Sequence, residues 1–263
     1  MAMETRFLRN KDLIPIPKLT EIGVVGLGGI GSFLIQTLTM MGWQSIWGWD
    51  SDRVEDHNLS TTAYPLNQTG KLKKDAAVEL HKQYAEDWQK IRVDNNFQYN
   101  SISLPMMIVC TDDMESRKVV YEQWKKEHRY STNKRFFIDL RMGATTVEMS
   151  TVTGNWDKYM KEWIPTDSVP EAPCSMKHTV FATQQIVSLG VAQVYNILAN
   201  LSYYDYIWTS LNPNMVEYGT RVVPKPEGDA NAYPTNNREE SLNGLASNAI
   251  RSNVASNRTT QNG

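Results

Sequence analysis

Gly26-Leu-Gly28-Gly29-Ile-Gly31 carries the spacing Gly-x-Gly-x-x-Gly between a strand-like run and a helix-like run. Glycines there let a phosphate approach the backbone where Cβ atoms would block it. The following helix N-terminus offers free N–H groups and a partial positive charge. Asp50 closes the next strand-like run, where a carboxylate can accept hydrogen bonds from ribose hydroxyls. Together these residues predict a nucleotide site, open at this level to NAD, FAD or ATP. Two thiols add possible chemistry. Cys174, in Ala172-Pro-Cys174-Ser-Met-Lys-His178, stands before a helical run beside Lys177 and His178. That is a setting able to lower a thiol pKa, and an incidental cysteine reads equally well there. Cys110 ends an apolar run and reads as an inert, buried thiol.

The elements that must position these residues follow from periodicity. Glu21–Val25 and Ser45–Trp49 read as buried strands, and Phe33, Leu34, Ile35, Leu38 and Met41 recur at helical spacing up to a stop at Gly42. A charged amphipathic helix is predicted from about Lys73 to Lys90, with Ala76, Ala77, Leu80 and Tyr84 on one side. A strand follows over Met106–Cys110, then a helix from Glu115 to about His128. Strands are read at Arg135–Leu140 and Thr145–Val152. After a loop holding Pro165, Pro170 and Pro173, a long helix runs from His178 to about Leu201, then two strands near Tyr206–Leu211 and Met215–Val223. The alternation predicts an α/β chain: a Rossmann-like doubly wound sheet, mostly parallel, with added late antiparallel strands. Residues 1–223 form the predicted domain. From Pro224 onward Asn, Ser, Thr and Gly dominate, and 224–263 reads as a polar tail.

Bulk composition narrows the classes. With 41% apolar and 21% charged residues the 263-residue chain suits one large globular domain, and a net charge of −2 provides no global field for nucleic acid or anionic membrane. Lys71, Lys73, Lys74 and the pair Lys125, Lys126 read as solvated helix faces. No apolar run reaches the roughly 18–20 residues of a membrane span. No secretory signal is visible, and two cysteines support neither a four-cysteine zinc site nor a disulfide framework. The expected setting is reducing and cytoplasmic.

The context of the glycine loop separates the nucleotide alternatives. In order come Arg6-Phe-Leu-Arg9-Asn10, the Gly-x-Gly-Gly-x-Gly loop, Asp50-Ser-Asp52-Arg-Val54-Glu55-Asp-His-Asn58-Leu59, Gly70-Lys-Leu-Lys73 and Val109-Cys-Thr111-Asp112-Asp113. Over roughly residues 6–200 this set resembles the ThiF/HesA/MoeB family of the ubiquitin-activating superfamily, with its Arg-Tyr-x-Arg-Gln, Gly-x-Gly-Gly-x-Gly, Asp-x-Asp-x-Val-Glu-x-x-Asn-Leu-x-Arg-Gln, Gly-x-x-Lys and Cys-Thr-Asp-Asn motifs. The resemblance implies an ATP-dependent adenylyltransferase. It would join a carboxylate to AMP, the acceptor being the C-terminal Gly-Gly of a small ubiquitin-like protein. Gly26, Gly28, Gly29, Gly31, Asp50, Asp52 and Asn58 would hold ATP. Lys73 would neutralise the phosphates, and Asp112 would hold Mg²⁺. Arg9 would reach the site of a neighbouring subunit, which implies a homodimer. Cys174 would correspond to a cysteine that in relatives bonds the activated partner.

Several readings stay open. Lys71 or Lys74 can replace Lys73, Asp113 can replace Asp112, and Arg9 can be an ordinary surface residue. Asp139 and Arg141 can simply pair at a strand end. The family pattern breaks at Thr61, which stands where an arginine is expected, with Arg53 as a candidate substitute; paired Cys-x-x-Cys zinc ligands are also missing. The functional alternatives are a tRNA- or peptide-modifying enzyme of the same superfamily, a catalytically impaired nucleotide-binding scaffold, and last an NAD-dependent oxidoreductase.

Overall fold

The computed structural model describes residues 5–10, 12–14, 18–97, 104–128, 135–153, 159–160, 178–212 and 214–222. Cys174, Lys177, the three loop prolines and the 224–263 tail lie outside them. Ten strands are described: β1 Glu21–Val25, β2 Ser45–Trp49, β3 Lys90–Asp94, β4 Met106–Val109, β5 Phe136–Gly143, β6 Thr146–Val152, β7 Tyr203–Tyr204, β8 Tyr206–Leu211, β9 Asn214–Tyr218 and β10 Arg221–Val222. The helices are α1 Gly29–Met41, α2 Lys73–Tyr84, α3 Met114–His128 and α4 Val180–Leu198.

Eight strands form one sheet in the order β3-β2-β1-β4-β5-β6-β8-β9. The first five are parallel and the last three antiparallel. That is the expected Rossmann-like sheet with late antiparallel strands. Side-chain alternation divides its core. Along β4, Met106 and Ile108 face a cluster shared with α1, α2 and α4, while Met107 and Val109 face one shared with α3. Helices therefore cover both faces, so these strands are apolar throughout. The chain order reverses direction across the sheet at β1 and β4, and the crevice beyond their carboxyl ends is where such folds bind ligands.

A local signal fixes the end of α1. Gly42 closes α1 in the left-handed conformation (φ 101°), its N–H reaching back to Thr39 O at 3.1 Å. The expected helix from Lys73 to Lys90 is shorter. It stops at Tyr84 because Ala85 turns extended, and the Gln89 amide then anchors the chain by donating to Thr39 O and Trp43 O at 2.8 and 2.9 Å. That anchor launches β3, an edge strand whose Lys90, Arg92 and Asp94 face water. The region expected as one strand over Met215–Val223 divides into β9 and β10, the latter pairing with β7.

Candidate active site

Val25 delivers the chain into the glycine loop. The Gly26 N–H donates to Trp49 O at 2.9 Å, and the residue holds φ +91°, where a Cβ would lie 2.8 Å from the Cys110 carbonyl oxygen. A Cβ on Gly31 would stand 1.8 Å from Gly26 O, so this glycine lets α1 seat against the loop. Gly28 has a different part. Its Cβ position is open, with only Lys73 Nζ within 4 Å, at 3.9 Å. Gly28 is the α1 N-cap and no side chain caps the helix, leaving first-turn N–H groups directed outward with the positive end of the helix dipole.

Asp50 leaves β2 beside this loop. Its Oδ2 accepts the Leu27 N–H at 2.7 Å and its Oδ1 the Asp52 N–H at 2.8 Å. Each carboxylate oxygen keeps a second acceptor site. Burial pushes the Asp50 carboxyl above its ordinary range, against the opposing pull of Lys73 and the two N–H groups. The segment after it pairs with the chain entering α2: Val54 N–H donates to Lys71 O at 2.9 Å and Lys73 N–H to Asp52 O at 2.8 Å. This pairing aims Lys73 inward. Its Nζ reaches Asp52 Oδ2 at 2.8 Å, with the lysine side chain 13% exposed and the aspartate 64%. Burial pulls the Lys73 ammonium down, but Asp50, Asp52 and Asp112 outweigh it and the net shift is upward, keeping the charge. Lys71 is instead held by Glu79 at 2.7 Å.

Asp112 and Asp113 end the loop after β4. Asp113 Oδ1 accepts the Ser116 N–H at 2.7 Å and so caps α3, whereas Asp112 is exposed in the cavity wall. Beneath them the buried Arg117 donates to Thr111 O and to Asp139, whose other oxygen takes Arg141 Nε at 2.8 Å and the Tyr159 hydroxyl at 2.9 Å. The expected Asp139–Arg141 pair is thus one edge of a larger buried network. Burial pushes the Cys110 thiol up to about 12, and Sγ donates to Gly26 O at 3.0 Å; this cysteine stays a thiol.

A cavity of about 680 Å³ joins these groups. Gly26, Gly28, Gly29, Asp50, Asp52, Asn58, Lys73 and Asp112 all line it. Gly31 acts behind the loop. Arg9 is exposed and stands outside the described lining of its own chain's cavity. Thr61 lines the cavity, but Arg53 donates to Gly70 O at 2.7 Å and does not take the missing arginine's place there. Sequence reading missed part of the lining, Trp49 and Phe97 packed edge to face at 5.1 Å, with Asn95, Thr62, Met142 and Arg117; His178, read only as a neighbour of Cys174, also lines the cavity. Phe97 follows β3, the strand that was not foreseen; an aromatic three residues past an acidic strand end is a weak signal.

The donor set suits magnesium bound with a nucleotide. Mg²⁺ commonly uses one or two carboxylates plus phosphate oxygens and water. Asp112 and Asp52, which both line the cavity and both act on Lys73, would provide the carboxylates, while no group of three metal-ligating side chains occurs among the described residues. No described helix is long and apolar enough to cross a membrane.

No curated protein matches the sequence. Among solved structures the chain is similar to Escherichia coli MccB with MccA-N7isoASN, at 12% identity, covering 84% of this chain and 73% of that one with a TM-score of 0.61. E. coli MccB with ATP gives 14%, 80%, 67% and 0.60 for the same quantities. The E. coli tRNA N6-threonylcarbamoyladenosine dehydratase TcdA, in complex with AMP, gives 16%, 75%, 95% and 0.57. Identities this low establish the fold. The sequence itself matches the ThiF family over residues 16–201. That match runs from before β1 to beyond α4 and takes in the elements that build the cavity, so the chain belongs to the ThiF family and is an ATP-dependent adenylyltransferase of the carboxylate-activating type.

Proposed function

We propose that the cavity takes Mg·ATP and adenylates a carboxylate on a peptide or small protein, a ubiquitin-like tail ending in Gly-Gly being the specific acceptor expected. The carrying observation is convergence: Asp50, Lys73 and Asp112 share one cavity with the uncapped end of α1. Asp50 grips the ribose, which places the phosphates along Gly28 and Gly29 toward Lys73. Asn58 borders that path; its Oδ1 already accepts the Glu55 N–H at 3.1 Å, leaving the amide N–H groups to face the nucleotide. The acceptor carboxylate oxygen bonds to the α-phosphorus while the bond to the bridging oxygen breaks, and pyrophosphate leaves with the electron pair. Like charges meet in that step, so fixed cations and helix N–H groups supply most of the rate. Lys73 gives its ammonium to the phosphates. Its present partner Asp52 is largely exposed, so exchanging it costs little. Asp112 would hold magnesium, which supplies charge neutralisation on the phosphates when bound. Arg9, exposed and not among the residues lining its own chain's cavity, serves the site of a second copy in a homodimer. Cys174 is proposed as an acceptor thiol for the activated carboxylate.

The acceptor proposal draws on MccB, whose solved complexes include one with MccA-N7isoASN. Magnesium-dependent exchange of labelled pyrophosphate into ATP, with free-carboxylate peptides including Gly-Gly tails, tests the reading. Exchange that requires both magnesium and a peptide carboxylate supports it. Binding of ATP with no exchange across a broad peptide set contradicts it.

A further inference from the structure

Arg117 borders the cavity, but its bonds go to the protein. Its side chain is 5% exposed, and its ion-pair partner Asp139 is 0% exposed. A buried ion pair adds little net stability over apolar packing of the same volume. What this pair holds in place is therefore more informative than the energy of its charges.

The guanidinium meets three oxygens drawn from two strand ends. It donates to Thr111 O in the loop after β4, to the Asp139 carboxylate, and to Leu140 O at 3.1 Å, the last two on β5. The parallel pairing of β4 with β5 runs from Met106–Phe136 to Val109–Asp139 and stops there. Arg117, in the first turn of α3, carries the link beyond that last pair with side-chain donors. The second Asp139 oxygen accepts Arg141 Nε at 2.8 Å and the Tyr159 hydroxyl at 2.9 Å, and Arg141 also reaches Glu148 at 3.0 Å. Two cations and two anions balance in this network, and the rigid fork of Arg117 is fixed in orientation.

Asp112 sits between two anchored points. On one side Arg117 holds the Thr111 carbonyl. On the other, Asp113 Oδ1 accepts the Ser116 N–H at 2.7 Å, and Thr111 Oγ1 donates to Asp113 O at 3.3 Å. Asp112 itself is exposed in the cavity wall. A carboxylate on an unanchored loop would give up conformational freedom on taking a cation. Here the backbone on both sides is already set.

We infer that Arg117 is a positioning residue: by holding the Thr111 carbonyl from α3, it sets the Asp112 carboxylate for the magnesium that accompanies the nucleotide. This role needs no bond from Arg117 to nucleotide or metal. The inference rests on the Mg·ATP reading above, with Asp112 as the magnesium-holding group, and adds a residue outside the motifs that suggested ATP.

The test is equilibrium titration of ATP at a series of magnesium concentrations, which gives the magnesium level midway to full ATP affinity. Arg117→Lys keeps a charge for Asp139, but a single ammonium cannot also span to Thr111 O. Arg117→Met combined with Asp139→Asn removes one cation and one anion, so the network stays balanced in a second, independent variant. Tyr159→Phe takes a donor from the same carboxylate and leaves Thr111 untouched. Both Arg117 variants are expected to raise the magnesium midpoint about ten-fold or more, the usual loss when a metal ligand's outer partner is removed. Their affinities for adenosine, and for ATP without magnesium, stay at the wild-type level. Tyr159→Phe leaves the midpoint unchanged. Asp112→Asn raises the midpoint by itself, and adding Arg117→Lys to it has no further effect, because groups acting through one another are not additive.

A wild-type midpoint in both Arg117 variants overturns the inference. So does an equal rise in Tyr159→Phe, or an additive rise on top of Asp112→Asn, each of which marks general loosening of the network. Loss of cooperative melting in both Arg117 variants overturns it too, in favour of a purely structural role. A wild-type protein that fails to bind Mg·ATP, or an Asp112→Asn protein with the wild-type midpoint, overturns the functional reading beneath the inference instead.

Discussion

At the residue scale, Lys71 and Lys73 stand two positions apart, and hydrogen bonding distinguishes them. Lys71 is held by Glu79, and Lys73 by the pairing of its backbone N–H with Asp52 O, which turns its side chain into the cavity. Lys73→Met should lower pyrophosphate exchange about 100-fold or more, the usual loss when a charge-stabilising donor is removed. Lys71→Met should stay within about three-fold, since it removes only an exposed ion pair. The two aspartates are separated by the same kind of argument. Asp113 is consumed in capping α3, so Asp112→Asn should raise the magnesium concentration needed for half-maximal exchange, whereas Asp113→Asn, which keeps a capping oxygen, should leave it unchanged. Motif order picked out Asp50, Lys73 and Asp112, and all three line one cavity.

At the scale of elements, the glycines of one loop have separable duties. Gly31→Ala would drive a methyl into Gly26 O and separate α1 from the loop. Its expected mark is lost stability, about 1–3 kcal/mol or more as for other overpacked sites, seen in chemical denaturation. Gly28→Ala has space for its methyl, and that methyl sits where a phosphate would rest. It should fold with near wild-type stability and lose Mg·ATP affinity in a titration. The packing of α1 on α2 carries a pH dependence of its own. His81 is buried, with Nδ1 2.8 Å from Thr39 Oγ1, which also donates to Ile35 O. Burial lowers the His81 pKa below its ordinary 6.5. Between those two values the unfolded chain binds the proton and the folded one resists it, so stability falls as pH drops through 6.5 toward the folded value. Melting curves between pH 8 and about 5 should show this decline, and His81→Gln should flatten part of it. Elements were legible where burial on both faces made strands continuously apolar, as in β1, β2 and β4. β3 was not, because Lys90, Arg92 and Asp94 face water at the sheet edge and Arg92 lies over Trp47 at 4.8 Å. Missing that strand also hid the Asn95–Phe97 wall that follows it.

At the scale of the whole molecule, the cavity lies where chain order reverses across the sheet, so residues distant in sequence meet there by topology. Arg9 is the exception, exposed and not among the residues that line its own chain's cavity. If it completes a second copy's site, two inactive variants should rescue one another. Arg9→Ala mixed with Lys73→Met should recover up to about a quarter of wild-type exchange, since random pairing leaves one intact site in half of the dimers. No recovery after verified subunit exchange would remove Arg9 from the mechanism. Bound Mg·ATP should also stabilise the fold by about 2.7 kcal/mol at one hundred times its dissociation constant.

The most direct measurement is calorimetric titration of Mg·ATP into the wild-type protein and into Asp50→Ala, Lys73→Met and Asp112→Ala, each first shown to melt cooperatively. One shared triphosphate site predicts saturable binding by the wild type and weaker binding in all three variants, with magnesium dependence blunted only in Asp112→Ala. Folded variants that each bind Mg·ATP as the wild type does would contradict the account.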